Sequence, residues 1–306
     1  MRTAFVEALV EVARTDPRVW LLTGDLGFSV LEPFAERFPE RYVNVGVAEQ
    51  NMVGIASGLA MAGKVVFTYS IANFATLRCL EQIRNDACYH DLPVKVVAVG
   101  AGLTYGSLGY THHGLEDIPI MRALPRLAVI APGDPVEAAL AVRELVRWPG
   151  PAYLRLGKAG EPVVHRDGLA ELPASKLILV REGRGPAILA TGSMLPTAVD
   201  AANQLAGLGV DTAVYSVPWL KPFDAAAVAT LARKHSLIHT LEEGQRSGGL
   251  GGLVAETPGG ASAPRARLVR GGLDDLCLHE VVSQKAGREA NGLGVEAIVE
   301  ALRKGS

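Results

Sequence analysis

Short apolar bursts alternate with longer stretches of helical periodicity along almost the whole chain. Residues 19–23, 64–69, 94–99, 128–131 and 152–156 read as strands, each a run of aliphatic and β-branched residues too short for a helix. Between them, residues 48–62, 76–89 and 135–147 carry helical spacing, and the opening MRTAFVEALVEVARTDPRV is an amphipathic helix with acids and bases throughout. Such alternation predicts α/β architecture, a mainly parallel sheet with helices on both faces. The texture then changes. GKAGEPVVHRDGLAELPASK is polar, holds Pro and Gly and has little periodicity, as a linker does. Strands at 187–190, 211–216 and 237–241 and helices at 195–208 and 225–234 resume the alternation, and the Gly-rich SGGLGG introduces a further helix. The expected organisation is a domain over residues 1–165, a linker over 166–184 and a smaller α/β domain over 185–306.

Composition narrows the function classes. A chain of 306 residues can hold two cores, and 49% hydrophobic with 20% charged residues describes a soluble globular protein. Lys and Arg number 30 against 32 Asp and Glu, so no global field argues for nucleic acid or an anionic membrane. Cys79, Cys88 and Cys277 form no CxxC pair, which fits a reduced, cytoplasmic compartment. The N-terminus lacks the layout of a signal peptide, and no uncharged apolar run reaches the roughly 18 residues of a membrane span.

The chemistry concentrates in NVGVAEQNMV, residues 44–53. Glu49 stands at the start of a helix built from small residues (Gly54, Ala56, Ser57, Gly58, Ala60), whose backbone a neighbour can approach closely. An acid in a first helical turn is also what the macrodipole favours, so these residues alone leave both readings open.

An ordered set of motifs decides between them. TGDLG, VGVAEQNM, NFATLRCLEQIRND, GLTYGSLGYTHHGLEDI and LPRLAVIAPGDPVEA are followed by ILATGSM, VPWLKPFD and TLEEGQRSGGLGG. Over roughly nine tenths of the chain this order resembles the C-terminal half of a transketolase, the pyrimidine-binding domain plus the C-terminal domain. The resemblance implies a thiamine-diphosphate enzyme in which Glu49 hydrogen-bonds N1′ of the aminopyrimidine and shares its proton. It implies that Phe74 stacks on that ring, with Ile71 and Leu77 at neighbouring positions that are usually aromatic. Asp25 matches an aspartate that reaches toward the cofactor across an interface. His112, in Thr111–His112–His113, matches the histidine that faces the thiazolium and the substrate oxygens, where an imidazole can both donate and shuttle a proton. Arg2, Ser29 and Arg155 match positions that hold a sugar phosphate, a task suited to guanidinium forks.

Departures from the pattern bear on specificity. Leu108 stands where sugar transketolases have an aspartate that reads a substrate hydroxyl, Gly100 replaces a phosphate-side histidine, and His113 replaces a glutamine. The expected pocket is more apolar on one wall and roomier on another. The GDG…Asn motif that binds diphosphate through magnesium is missing, Gly24-Asp25-Leu26 being the nearest stretch, so this chain supplies no metal ligands. The resemblance therefore implies the C-terminal subunit of a split transketolase, paired with itself through the pyrimidine domains. A separate diphosphate-binding N-terminal subunit would carry Mg²⁺ and complete an α₂β₂ heterotetramer. The implied reaction moves a two-carbon ketol unit from a phosphorylated ketose to an aldehyde. A deoxyxylulose-phosphate-synthase-like or 2-oxo-acid dehydrogenase β-type subunit is the alternative within the superfamily. A scaffold or regulatory homodimer is the alternative outside it, disfavoured by the retention of both Glu49 and His112.

Overall fold

The computed structural model describes residues 1–257 and 266–303, so two short stretches of the expected second domain, 258–265 and 304–306, lie outside the described residues. The first part of the chain runs α1 (Arg2–Thr15), β1 (Val19–Thr23), α2 (Glu32–Arg37), β2 (Tyr42–Asn44), α3 (Glu49–Met61), β3 (Val65–Ile71) and α4 (Ala72–Ala75). It continues with α5 (Leu80–Gln82), β4 (Val94–Val99), α6 (Asp117–Ala123), β5 (Ala128–Ile130), α7 (Pro135–Arg147) and β6 (Ala152–Leu156). The second part contains β7 (Ile178–Arg181), β8 (Ala187–Ala190), α8 (Leu195–Gly207), β9 (Ala213–Ser216), β10 (Trp219–Lys221) and α9 (Ala225–Lys234). After these come β11 (Leu237–Gln245), α10 (Leu250–Glu256), β12 (Arg267–Leu273), α11 (Gln284–Ala290) and α12 (Val295–Arg303).

Among the described residues, seven strands form a sheet in the order β10-β5-β6-β4-β3-β1-β2 and five form a second in the order β12-β11-β8-β9-β7. The pairs that join β2, β1, β3, β4, β6 and β5 are all parallel. Every residue of β4 and all but the last of β3 are buried, as both-face coverage requires. Alternation within these strands sorts the core. Leu22, Val66, Val96 and Ala98 face α3 and α6, whereas Leu21, Phe67, Val97 and Val99 face α1, α2 and α7.

Local chemistry sets the helix ends. Asp134 accepts from the Glu137 N–H at 2.8 Å and Pro135 follows it, which starts α7; Asp224 caps α9 in the same way at 3.0 Å. The expected helix over residues 76–89 is instead broken into α4, a 3₁₀ turn over Leu77–Cys79, α5 and a π segment over Ile83–Cys88. At the first break the Cys79 thiol donates to the Phe74 carbonyl at 3.1 Å, giving it a partner other than a helical amide. The Thr76 hydroxyl donates to the Ala72 carbonyl at 2.6 Å beside the Thr76 amide at 3.1 Å, and the turn re-aims the side chains beyond it.

The linker proves more structured than its composition suggests. Ile178–Arg181, inside the expected linker of 166–184, is strand β7 and pairs antiparallel with β9. Upstream, Asp134 Oδ2 accepts from the N–H groups of Val164 and His165 at 2.9 Å each, so that stretch is fastened to the start of α7. The second part of the chain also reaches back. β10 pairs antiparallel with β5 at the edge of the first sheet, and Trp219 is buried beside Trp148, ring centroids 5.5 Å apart. No helix among the described residues is long and apolar enough to cross a membrane.

Candidate active site

The carboxyl ends of β1, β2, β3 and β4 open on one side of the first sheet, where ligands of open α/β sheets bind. Glu49 is the first residue of α3, just past β2, and is 1% exposed. Its Oε2 accepts from Arg78 Nη1 at 2.7 Å, and Oε1 receives the Ser70 hydroxyl from the end of β3 at 3.4 Å. Gly24, after β1, makes room for the carboxylate: a Cβ there would lie 3.2 Å from Glu49 Cγ. The backbone beyond it is unusual, with Asp25 and Ser29 in the left-handed region at φ 57° and 61°. Asp25 is exposed and exchanges hydrogen bonds with Asn44, its amide and carboxylate each 3.0 Å from the asparagine side chain.

Phe74 sits in α4, directly after β3. Its ring meets the His112 imidazole edge-on, with centroids 5.4 Å apart and planes at 68°, and the Arg78 guanidinium carbon lies 4.4 Å from its centroid. Asn73 Nδ2 donates to the Thr111 carbonyl at 3.1 Å, tying the turn after β3 to the histidine loop. Thr111 Oγ1 lies 3.0 Å from His112 Nδ1. With the hydroxyl as donor, Nε2 carries the ring proton and is free to give it to an oxygen. Glu49, Phe74 and His112, from three separate motifs, are thus linked in a chain: Arg78 bridges Glu49 and Phe74, and Phe74 touches His112. Ile71 ends β3 half-buried against the core, and Leu77 is exposed on the 3₁₀ turn next to Arg78.

Arg155, Gly100 and His113 are all packed into the protein. The resemblance gives Arg155 an anionic tail to hold; it is 1% exposed, with two nitrogens held by the protein and Nη1 buried without a hydrogen-bond partner. Nε donates to Asp117 Oδ2 at 2.6 Å, and Nη2 donates to Asp117 Oδ1 at 3.1 Å, to Gly114 O at 2.7 Å and to Glu243 O at 2.9 Å. Burial works against its charge, but Asp117 outweighs burial and holds the guanidinium above its ordinary range. Arg155 Nη2 thus ties the histidine loop to β11, and Nη1 is left unpaired. Nor does Gly100 leave an open wall. It has φ 82°, and a Cβ would fall 2.3 Å from the Tyr105 ring, so the tyrosine fills that space. His113 is buried, with neither ring nitrogen hydrogen-bonded, and meets Tyr110 edge-on at 6.1 Å.

Arg2 keeps its candidacy. Its Nε is buried without a hydrogen-bond partner, as is the hydroxyl of Tyr69, with which it interacts electrostatically. Burial and the nearby Tyr105 push the Tyr69 hydroxyl above its usual range, with Arg2 opposing them. Ser29 is exposed, its N–H held by Glu32 Oε1 at 2.7 Å. Sequence reasoning passed over Lys158, an exposed residue just past β6 whose carbonyl accepts from the Met1 amine at 3.1 Å, which sets it beside Arg2. Its position just past the apolar strand, in the exposed run 158–160, was the available signal.

The second domain braces the histidine loop. Glu243 is 1% exposed and accepts from the Leu103 N–H at 2.6 Å, Ser193 Oγ at 3.0 Å and Arg288 Nε at 2.8 Å. Gly102, at φ 60°, allows this approach, since a Cβ would lie 2.5 Å from Glu243 Cγ. The neighbouring Glu242 accepts from the N–H groups of Leu250 and Gly251 at 2.8 and 2.9 Å, and burial pushes its carboxyl up to about 7. The Gly-rich SGGLGG is therefore a turn wrapped around a carboxylate.

The fold is that of an α/β protein, with a buried carboxylate, an aromatic ring and a histidine at the carboxyl edge of its parallel sheet. Comparison with known proteins identifies its family. The family "Transketolase, pyrimidine binding domain" matches residues 1–160, and "Transketolase, C-terminal domain" matches residues 175–284. The chain is 38% identical over 306 residues to the 6-deoxy-6-sulfo-D-fructose transketolase subunit SqwH of Clostridium sp. (strain MSTE9), covering 99% of this chain and 94% of that one. It is 35% identical over 270 residues to an apulose-4-phosphate transketolase subunit of Actinobacillus succinogenes, covering 88% and 86%. Among solved structures, a split-gene transketolase described as an inactive beta4 tetramer superposes with a TM-score of 0.88 at 34% identity, covering 99% and 97%. The chain belongs to the transketolase family and is the C-terminal type of subunit of a split transketolase. The family is thiamine-diphosphate-dependent. A 1-deoxy-D-xylulose-5-phosphate synthase from Desulforudis audaxviator is 33% identical over 96% of this chain but only 46% of its own length, which makes the synthase-like reading the weaker one.

Proposed function

We propose that the cleft at Glu49 takes the aminopyrimidine of thiamine diphosphate, and that the assembled enzyme moves a two-carbon ketol unit from a phosphorylated ketose to an aldehyde. The observation that carries this is the buried Glu49 carboxylate linked through Arg78 to Phe74, whose ring meets His112. The donor set suits the ring: a carboxylate for a ring nitrogen, an aromatic side chain for stacking and aliphatic Ile71 beside them. When bound, the cofactor supplies the carbon centre that stabilises negative charge as a bond beside a carbonyl breaks.

The chain's own residues do the rest. Glu49 holds the proton at the ring nitrogen, Phe74 fixes the ring plane, and His112 Nε2 donates to the substrate oxygen on which charge develops. Arg2, Tyr69 and the exposed Lys158 and Ser29 present the cationic and hydroxyl groups that an anionic tail needs, and Leu108, 56% exposed, offers no hydroxyl-reading group. Asp25, exposed and hydrogen-bonded to Asn44, serves a neighbouring cleft.

The diphosphate and its Mg²⁺ belong to an N-terminal subunit, because the GDG…Asn stretch is missing from this sequence. Two copies of this chain pair along the outer face of α3. Nothing lies within 4 Å of a Cβ at Gly54 or Gly58, and Val47, Met61 and Phe28 are 74%, 60% and 74% exposed. Two N-terminal subunits then complete a heterotetramer in the cytoplasm. The test is reconstitution of this chain with its N-terminal partner and assay of ketol transfer from ketose phosphates. Glu49→Gln in the reconstituted pair should lower kcat at least about a hundredfold, the usual scale for a lost proton-transfer group. Full activity in that variant would refute the assignment.

A further inference from the structure

Arg78 already makes both contacts that Glu49 and Phe74 offer to an incoming ring. Its Nη1 donates to Glu49 Oε2 at 2.7 Å, and its guanidinium carbon stands 4.4 Å from the centroid of Phe74. A planar, charged, hydrogen-bonding group over an aromatic face is a fair imitation of an aminopyrimidine. The reason for its presence is electrostatic. Glu49 is 1% exposed, and a buried carboxylate without a counter-charge is costly, so the cofactor-free chain needs a cation there.

The way out is also built in. The Arg78 side chain is 41% exposed and enters from the surface, while its backbone carbonyl is held by Gln50 Nε2 at 3.0 Å. The head can therefore leave the cleft by rotation of a long side chain, with the broken 3₁₀ turn staying where it is.

We infer that Arg78 is a positioning residue that occupies the pyrimidine cleft of the cofactor-free subunit, holding Glu49 in place, and that the cofactor binds only by displacing it. This rests on the thiamine-diphosphate reading of the cleft. The guanidinium stands on the face of Phe74 that the ring would take and beside the carboxylate that the ring nitrogen would take, so the two compete for one space. Apparent cofactor affinity is then the intrinsic affinity reduced by the fraction of molecules in which Arg78 has swung out.

The test uses the chain reconstituted with its diphosphate-binding partner and compares wild type with Arg78→Met, which keeps length without the guanidinium, and with Arg78→Gln. Calorimetry and stopped-flow fluorescence with thiamine diphosphate and Mg²⁺ should give a Kd about tenfold lower in both variants, which is roughly 1.4 kcal/mol. The association rate should rise by a similar factor. Without cofactor, the same variants should melt at lower temperature than wild type, because Glu49 has lost its counter-ion. Unchanged cofactor constants in variants of a wild type that binds would overturn the displacement alone. Weaker binding would also overturn it, and would make Arg78 a ligand of the bound cofactor. Absence of binding by wild type and variants alike would overturn both the displacement and the thiamine-diphosphate reading.

Discussion

Removing the Asp117 carboxylate should destabilise the protein far more than an ordinary core substitution, because of what it leaves behind. Arg155 and Asp117 are each 1% exposed at the side chain and joined by two hydrogen bonds of 2.6 and 3.1 Å. In Asp117→Ala the guanidinium keeps the Gly114 and Glu243 carbonyls but has no counter-charge, and Tyr153 loses the acceptor of its hydroxyl, now 2.6 Å from Asp117. Breaking one partner out of a buried ion pair costs about 3–5 kcal/mol. At about 2–4 °C per kcal/mol for a domain of this size, the melting temperature should fall by roughly 6–20 °C. Calorimetric melting of wild type, Asp117→Ala, Arg155→Met and the double variant measures it. The double variant should be more stable than Asp117→Ala, since the stranded charge has gone, and the cycle should show a coupling of more than about 1 kcal/mol. A loss under about 1 kcal/mol in Asp117→Ala, together with a raised KM for a phosphorylated substrate in Arg155→Met, would refute the reasoning. Arg155 would then be serving a ligand.

Two further predictions concern the frame of the site. Gly100→Ala places a Cβ at φ 82° and 2.3 Å from the Tyr105 ring, and should cost about 1–3 kcal/mol in chemical denaturation; a variant as stable as wild type would mean Tyr105 does not fill that wall. Glu242 has its folded-state carboxyl raised to about 7 by burial, so its share of stability is fully present below the unfolded value and is lost as pH rises through about 7. Glu242→Gln should therefore flatten the decline of melting temperature between about pH 5 and pH 8, and an unchanged slope would count against the raised carboxyl.

Most of the first sheet was legible, because β1, β3, β4, β5 and β6 are buried parallel strands whose apolar runs are short and bounded. The strands that escaped, β2, β7, β10 and β12, depend on tertiary pairing. β10 is a three-residue stretch between prolines that pairs across the expected domain boundary, and β7 lies in a polar segment with an exposed face. The broken helix after Phe74 escaped because a thiol, ordinary in a helix, takes the Phe74 carbonyl from its ladder. At the site, Glu49, Phe74 and His112 were readable from motifs, and their convergence follows from adjacent strand ends. The buried partner of Arg155 was not readable, for a physical reason. A strand-end arginine looks the same in sequence whether it faces a ligand or a buried aspartate 38 residues away. Arg78 was invisible as a participant, since its partner Glu49 is 29 residues distant and only the broken turn brings them together.

The account stands most directly on one titration, of thiamine diphosphate with Mg²⁺ into this chain alone, into its N-terminal partner alone and into the mixture. Tight binding in the mixture, weak or absent binding in either subunit by itself and loss of the mixture's binding in Glu49→Gln are the predicted results. Binding by this chain alone with the mixture's affinity would contradict the split of the cofactor site, and no binding in the mixture would contradict the site itself.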